Sequence, residues 1–486
     1  MPHMFLYGPP GTGKSTIGRV LAHSLDLPFM DLDRAIEKKA GMEIAQMMEQ
    51  QGEATFRDLE TAALKDIVVT GASDKVIALG GGALLRDENR IVAETHGTVI
   101  VLMAELPTLL ERLKEDAGKR PLLAGNLRER LTSLLEKRSE HYSSFSIQMH
   151  VDGHPTSESA WLIQTKLGRF HLKAMGNYDV VVADGVIEQL GSMLSLRGLI
   201  NPIVVTDENV ARLHVGRIMS SLRRADFTPA LITIPAGEAH KNLETIQRLW
   251  HGFLEHGLDR KSTVIALGGG VIGDLAGFAA STYMRGISWV AIPTTLLAMV
   301  DASLGGKTGF DLPQGKNLIG SFYPPRLVLA DPQMLTTLPQ AEFISGMAEV
   351  VKHGIIAEPT LFDLCARGLD CVKDEIESVV KHAMAVKIKI IEDDPYEKDF
   401  RAALNLGHTV GHAVELVSKF QLRHGEAVAI GIVAEAKLAE RLNLANKGLS
   451  DRIAGVLAAL GLPVHIPANL PRDEILRTIR VEKKKN

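Results

Sequence analysis

The chain has 486 residues, 45% of them hydrophobic and 23% charged, with a formal net charge of −4 and two cysteines. That length exceeds one ordinary core and calls for two or three domains, while the near-neutral charge excludes the basic footprint of a nucleic-acid binder. No apolar run reaches membrane-spanning length and the first dozen residues run into a motif rather than a signal segment, so a cytoplasmic protein acting on small polar metabolites is expected.

The first apolar run, MFLY, opens directly into GPPGTGKS (Gly8 to Ser15), followed by the helical stretch TIGRVLAHSL. Strand, glycine-rich loop and helix in that order make a phosphate cradle. The glycines let backbone N–H groups converge on the phosphates, Lys14 reaches the outer phosphates, and Ser15 supplies an oxygen to Mg²⁺. Gly11, Thr12, Gly13 and Thr16 complete the expected ATP contacts. The same octapeptide serves oligomeric ATPases of the AAA type, but those also need a hydrophobic strand ending in an Asp-Glu pair and a second helical lid. Neither occurs before residue 160.

The next strand instead ends in MDLD, where Asp31 and Asp33 stand two apart and are expected on one strand face. FRDLE, VIALGGG at Val76 to Gly82, the strand-like TVIVLM, KRPLLAG and EKRSEHY follow in turn. Alone, Arg57 or Arg138 reads as a surface ion-pair partner and Asp31 or Asp33 as a strand-end cap. As an ordered set behind a phosphate cradle they resemble shikimate kinase over essentially residues 1–155. The resemblance implies shikimate contacts from Asp33, Arg57, Gly81 and Arg138, with Asp33 orienting or deprotonating the attacking hydroxyl. It also implies a water-mediated Mg²⁺ contact from Asp31, a lid arginine at Arg120 closing on ATP, and Arg112 beside the adenine. These roles suit the chemistry, because an anionic substrate calls for arginines and a hydroxyl nucleophile for a nearby carboxylate.

Between residues 150 and 165 the chain turns polar with Gly and Pro, which sets a boundary near residue 160. A second α/β series follows, with strands in NPIVVTDENV, PALITIP, STVIALGGG and SWVAIPTT, and from Asp331 the pattern is mostly helical. Cys365 and Cys371, six apart in a helical region, fall on different faces, so no disulfide is expected. VIALGGG recurs at Val264 to Gly270, but its flanks diverge at once from the first copy, which argues against an internal duplication. A glycine turn between strand and helix brings pyrophosphate to the helix N-terminus, so a dinucleotide is expected here. LNLGHTVGH places His408 and His412 four apart on one helix face, the spacing of a paired metal site, with His424 and Glu349 on other segments.

PAGEAHK, IPTTLLAMVDASLGGKTGFD, GKNLIGSFYPP, SGMAEVVKHGI, LNLGHTVGH and HGEAVAIG together resemble 3-dehydroquinate synthase over roughly residues 165–486. The resemblance implies Glu349, His408 and His424 as ligands of Zn²⁺ (or Co²⁺), rather than the His408–His412 pair, with His412 near the substrate phosphate. It implies NAD⁺ contacts from Asp207, Glu238 and Lys241, from Gly269, Gly270, Val271 and Asp274, from Thr294 and Thr295, from Asp301, Lys307 and Lys316, and from Thr337. Substrate positions are Lys307, Lys316, Asn317, Lys352, Lys387, Arg401 and Asn405, of which Lys307, Lys352, Arg401 and Asn405, with His412, are expected in catalysis. The family commonly has Gly where this chain has Asp399, ahead of LNLGH.

The expected architecture is therefore α/β: a P-loop kinase domain with a parallel sheet (1–160) fused to a two-part synthase. That synthase has a Rossmann-like α/β NAD part (161–330) and a helical metal- and substrate-binding part (331–486). The implied chemistry is ATP-dependent phosphorylation of shikimate, and conversion of a seven-carbon keto acid phosphate to a carbocycle with release of phosphate. The competing reading of the second half is a metal-dependent NAD alcohol dehydrogenase or another sugar-phosphate cyclase. A homodimer through the synthase half is the expected assembly.

Overall fold

The computed structural model describes residues 3–70, 74–114 and 126–482, and the chain divides into two compact units, Met1–Lys166 and Leu167–Asn486. Arg120 lies outside the described residues.

In the first unit, five strands, β1 (His3–Tyr7), β2 (Phe29–Asp31), β3 (Val76–Ala78), β4 (Gly97–Met103) and β5 (Gln148–His150), form one sheet in the order β2-β3-β1-β4-β5. Every pairing is parallel. A central parallel strand is covered on both faces, which is why β1 reads HMFLY without alternation and is buried throughout. Each fully buried large side chain there contributes about 1.5–3 kcal/mol. Phe5, Tyr7, Leu32, Phe56, Leu64, Ile77, Val101 and Tyr142 share one core.

In the second unit, β6 (Arg169–Leu172), β7 (Tyr178–Val182), β8 (Ile200–Asp207), β9 (Ala230–Ile234), β10 (Ser262–Gly268), β11 (Ser288–Pro293) and β14 (Leu327–Ala330) form a sheet in the order β6-β7-β14-β11-β10-β8-β9. Only the edge pair β6–β7 is antiparallel. Between β11 and β14 a separate antiparallel hairpin, β12 (Lys307–Leu312) with β13 (Gly315–Phe322), projects the segment carrying Lys307, Lys316 and Asn317. After β14 the described chain is helical, with the longest pieces at Gln340–Ile356, Ile376–Asp393 and His424–Arg441.

Three of those helices approach with backbone contact. A Cβ on Gly431 would lie 1.9 Å from the carbonyl oxygen of Gly407, and one on Gly425 would lie 1.8 Å from that of Ser345. Glycine is required at both positions, and the close approach draws the helices bearing His408, His424 and Glu349 onto one point. Cys365 and Cys371 are free thiols on two successive short helices, Pro359–Ala366 and Leu369–Asp374.

Candidate active sites

In the first unit, Gly8, Gly11 and Gly13 all have positive φ, and the loop they shape ends at the helix Lys14–Ser24. Lys14 Nζ donates to the carbonyls of Gly8 (2.8 Å) and Pro9 (2.9 Å), and the buried Thr12 hydroxyl also donates to Pro9 O at 2.9 Å. Thr16 stands exposed in the first turn of the helix. Ser15 Oγ donates to Asp31 Oδ2 at 2.6 Å, joining the loop to the end of β2. Arg112 donates to the Gly11 carbonyl at 3.5 Å.

The strand-face expectation for Asp31 and Asp33 is corrected. β2 ends at Asp31, whose side chain accepts from Arg34 N and so starts the helix Leu32–Ala40; Asp33 lies in that helix's first turn. Asp33 still faces the first glycine triplet, since a Cβ on Gly80 would stand 2.9 Å from its Oδ1 and 3.1 Å from Glu60 Oε1. Arg57 donates to Glu60 (2.8 Å) and Glu53 (3.1 Å). The Gly81 carbonyl accepts from Arg138 and from the Tyr142 hydroxyl, both at 2.8 Å. Asp33, Arg57, Gly81 and Arg138 therefore converge around one triplet. Glu60 and Tyr142 were not anticipated. Glu60 is signalled by its i,i+3 spacing from Arg57 in FRDLE; its carboxyl is pushed up by burial against the pull of Arg57.

In the second unit, β10 runs into Gly269 and the helix Gly270–Thr282, in whose first turn Val271 sits. The cleft at this turn is lined by Gly268, Gly269, Gly270, Asp274, Ala302 and Lys307. A Cβ on Gly269 would meet Thr295 Cγ2 at 3.1 Å, and Thr294 N donates to Gly268 O at 3.0 Å. Lys241 is buried and donates to Asp274 (2.6 Å) and Asn317 (2.5 Å). Burial pushes the Asp274 carboxyl up to about 6 against the opposing Lys241 charge. Lys316 lies 3.5 Å from Glu238. Asp207 caps the helix Glu208–Arg224 by accepting from Asn209 N and Val210 N, and Thr337 Oγ1 bonds His214 Nε2 at 2.9 Å.

The remaining polar positions form charged and hydrogen-bonded pairs. Asp301 sits in a π-helical turn, Ala298–Ala302, with its carboxylate on Lys387 Nζ; Lys352 pairs with Glu349. Lys307 and Asn405 share the carboxylate of Glu397 at 2.7 and 3.0 Å, and buried Arg401 donates to the Pro395 carbonyl. Asp399 takes φ −143°, so this backbone position makes no left-handed demand that a glycine would have to meet.

Glu349 Oε1 lies 3.9 Å from His408 Nε2 and 4.0 Å from His424 Nε2. Ligand atoms held at about 2.0–2.2 Å from one Zn²⁺ are at most ~4.4 Å apart, so this set fits a single divalent ion. Glu349 is fully buried with Lys352 as its ion-pair partner, and neither carboxylate oxygen receives an aligned hydrogen bond, so Oε1 keeps lone pairs for a metal ion. Burial pushes this carboxyl up, but Lys352 and the histidines hold it net below its ordinary range. Burial brings His408 down to about 4, which favours the neutral, ligating imidazole. His408 Nδ1 faces Leu406 O at 3.3 Å and His424 Nδ1 faces Glu415 Oε2 at 3.2 Å, so both Nε2 atoms are turned to Glu349. The His412 ring packs 5.1 Å from that of His408 and lies beside this triad. Glu435 was also missed by sequence reading: its Oε2 accepts from Gly407 N at 2.8 Å, at the start of the helix His408–Val417.

Residues 231–345 match the model of the 3-dehydroquinate synthase N-terminal family and 346–485 that of its C-terminal family, while 10–167 match the shikimate kinase family. The 3-dehydroquinate synthase of Rippkaea orientalis is 43% identical over 316 residues, 63% of this chain and 86% of that protein. The chain belongs to the 3-dehydroquinate synthase family, with a shikimate kinase domain ahead of it. Among solved structures, a 2-deoxy-scyllo-inosose synthase complexed with carbaglucose-6-phosphate, NAD⁺ and Co²⁺ is 29% identical at TM-score 0.60, covering 64% of this chain and 86% of its own. The 2-epi-5-epi-valiolone synthase of Streptomyces hygroscopicus, with NAD⁺ and Zn²⁺ bound, is 29% identical at TM-score 0.58, covering 63% and 87%. The higher identity to 3-dehydroquinate synthases favours that reading over the alternatives. The chain is a bifunctional enzyme of aromatic biosynthesis, a kinase and a phosphate-releasing cyclase acting on small molecules. No helix among its described residues is long and apolar enough to cross a membrane.

Proposed function

We propose that the two activities occupy separate sites on independently folded domains, each built around one VIALGGG turn. The division at Lys166/Leu167 supports independent domains of about 1–160 and 161–486, the latter with its NAD part ending near residue 330. In the kinase half, Gly11 to Thr16 hold ATP, Ser15 holds Mg²⁺ directly and Asp31 through water, and Arg112 and Arg120 act on the nucleotide. Arg57, Gly81 and Arg138 hold shikimate, and Asp33 receives the proton of the attacking hydroxyl.

In the synthase half, Glu349, His408 and His424 hold the divalent metal, Zn²⁺ or Co²⁺. NAD⁺ is held by the β10 turn with Asp207, Glu238, Lys241, Asp274, Thr294, Thr295 and Thr337. When bound, NAD⁺ accepts and returns a hydride and the metal polarises a substrate oxygen, leaving no net redox change. Lys307, Lys316, Lys352, Lys387, Arg401, Asn405 and His412 bind the substrate's phosphate and carboxylate and keep them oriented. A cytoplasmic homodimer through the synthase half is the assembly we propose.

The observation carrying this reading is the convergence of Glu349, His408 and His424 on one point beside Lys352. The test is a phosphate-release assay on the seven-carbon keto acid phosphate, with and without NAD⁺ and metal, beside an ATP and shikimate assay. We expect phosphate release that requires both additions and leaves no NADH. NADH accumulating in step with substrate loss would overturn the cyclase reading.

A further inference from the structure

Glu415 is almost fully buried and belongs to none of the substrate, cofactor or metal sets above. It projects from the helix His408–Val417, two turns beyond His408, and each of its oxygens has a definite partner. Oε2 faces His424 Nδ1 at 3.2 Å; Oε1 accepts from Lys316 Nζ at 3.0 Å. An ionised carboxylate only accepts hydrogen bonds, so its contact with Nδ1 puts a proton on that nitrogen, and in the neutral ring Nε2 is then the nitrogen that carries the lone pair. That Nε2 is the atom turned toward Glu349. Lys316 belongs to β13, stands over the Phe420 ring at 4.4 Å and lies 3.5 Å from Glu238. A continuous chain of charged contacts therefore runs from Glu238 through Lys316 and Glu415 to His424.

We infer that Glu415 is the positioning residue of the metal centre, fixing the tautomer and ring orientation of His424, and that Lys316 ties this geometry to the β12–β13 hairpin. The inference rests on His424 being a metal ligand. A carboxylate behind a ligating imidazole raises its basicity and fixes its aim, and losing it weakens metal binding about 10- to 100-fold. Because Lys316 holds the other oxygen, removing its charge frees Glu415 to turn and weakens the metal site by a smaller factor.

The test is Zn²⁺ affinity of the metal-stripped full chain, measured by competition with a chromophoric chelator, with melting temperature recorded on the metal-free protein. Glu415→Gln keeps an acceptor oxygen without the charge and is expected to weaken Zn²⁺ about 10-fold with the melting temperature unchanged. Glu415→Ala is expected to lose about 100-fold, and Lys316→Met about threefold, in the same titration. With Co²⁺ in place of Zn²⁺, Glu415→Gln shifts the visible absorption band, which a merely structural role would leave in place. Wild-type Zn²⁺ affinity in both Glu415 variants, with His424→Ala losing the metal, overturns the positioning role alone. Wild-type affinity in His424→Ala overturns the ligand assignment itself, and wild-type affinity in Lys316→Met removes the hairpin from the chain.

Discussion

The two copies of VIALGGG begin alike and end differently. Both are buried strands paired in parallel with their neighbours, β3 and β10, so both need an apolar run and a bare backbone at its tip. After β3 the triplet stays a turn whose surroundings are side chains: Asp33 and Glu60 against Gly80, Arg138 and Tyr142 on the Gly81 carbonyl, Arg57 against Gly82. After β10 the triplet passes straight into a 13-residue helix whose first turn holds no acidic residue, the arrangement that receives an anionic phosphate. On the roles proposed above, one glycine triplet makes room for a small acid held by arginines and the other for a pyrophosphate held by backbone. The glycines permit both, and the residues beyond them choose.

That contrast can be broken or sharpened by substitution. Asp33→Asn should lower shikimate phosphorylation about 10³-fold, measured by coupled ADP release, with phosphate release from the synthase substrate unchanged. Gly80→Ala should cost about 10²-fold in the same kinase assay, because its Cβ would stand 2.9 Å from Asp33 Oδ1 and displace the acidic group. The matching change in the second copy, Gly269→Ala, meets only the methyl of Thr295 at 3.1 Å, which a small rotation relieves. NAD⁺ affinity by fluorescence titration should weaken only about threefold. Equal losses at the two glycines would erase the distinction between side-chain and backbone recognition. Arg138→Lys should raise the shikimate KM about tenfold by losing the planar fork while the ATP KM holds. Separated halves, 1–166 and 167–486, should each keep kcat within about twofold of the intact chain.

Much of this was legible in the sequence because it is local. Three glycines, a lysine and a serine within the eight residues after a strand declare a phosphate cradle, and in the structure Gly8, Gly11 and Gly13 take positive φ while Ser15 bonds Asp31. The glycine turn after β10 and the helical character beyond Asp331 were legible for the same reason. What escaped is set by contacts between distant segments. The Asp31 cap is an exception: it is local, an aspartate bonded to Arg34 N ahead of a helical run, and it was hidden by carrying strand alternation on to Asp33. Glu397 between Lys307 and Asn405, and Glu415 between His424 and Lys316, depend on pairings 8 to 99 residues apart. Histidine spacing favoured His408 with His412, since helical periodicity sees one helix at a time; the triad with Glu349 needs three helices brought together at Gly425 and Gly431.

The most direct test of two separate sites uses one preparation of Lys14→Met and one of His424→Ala, each measured in both assays. The account predicts that Lys14→Met loses shikimate phosphorylation by about 10³-fold and keeps phosphate release, and that His424→Ala does the reverse. Loss of both activities in either variant, or retention of both in His424→Ala, would contradict it.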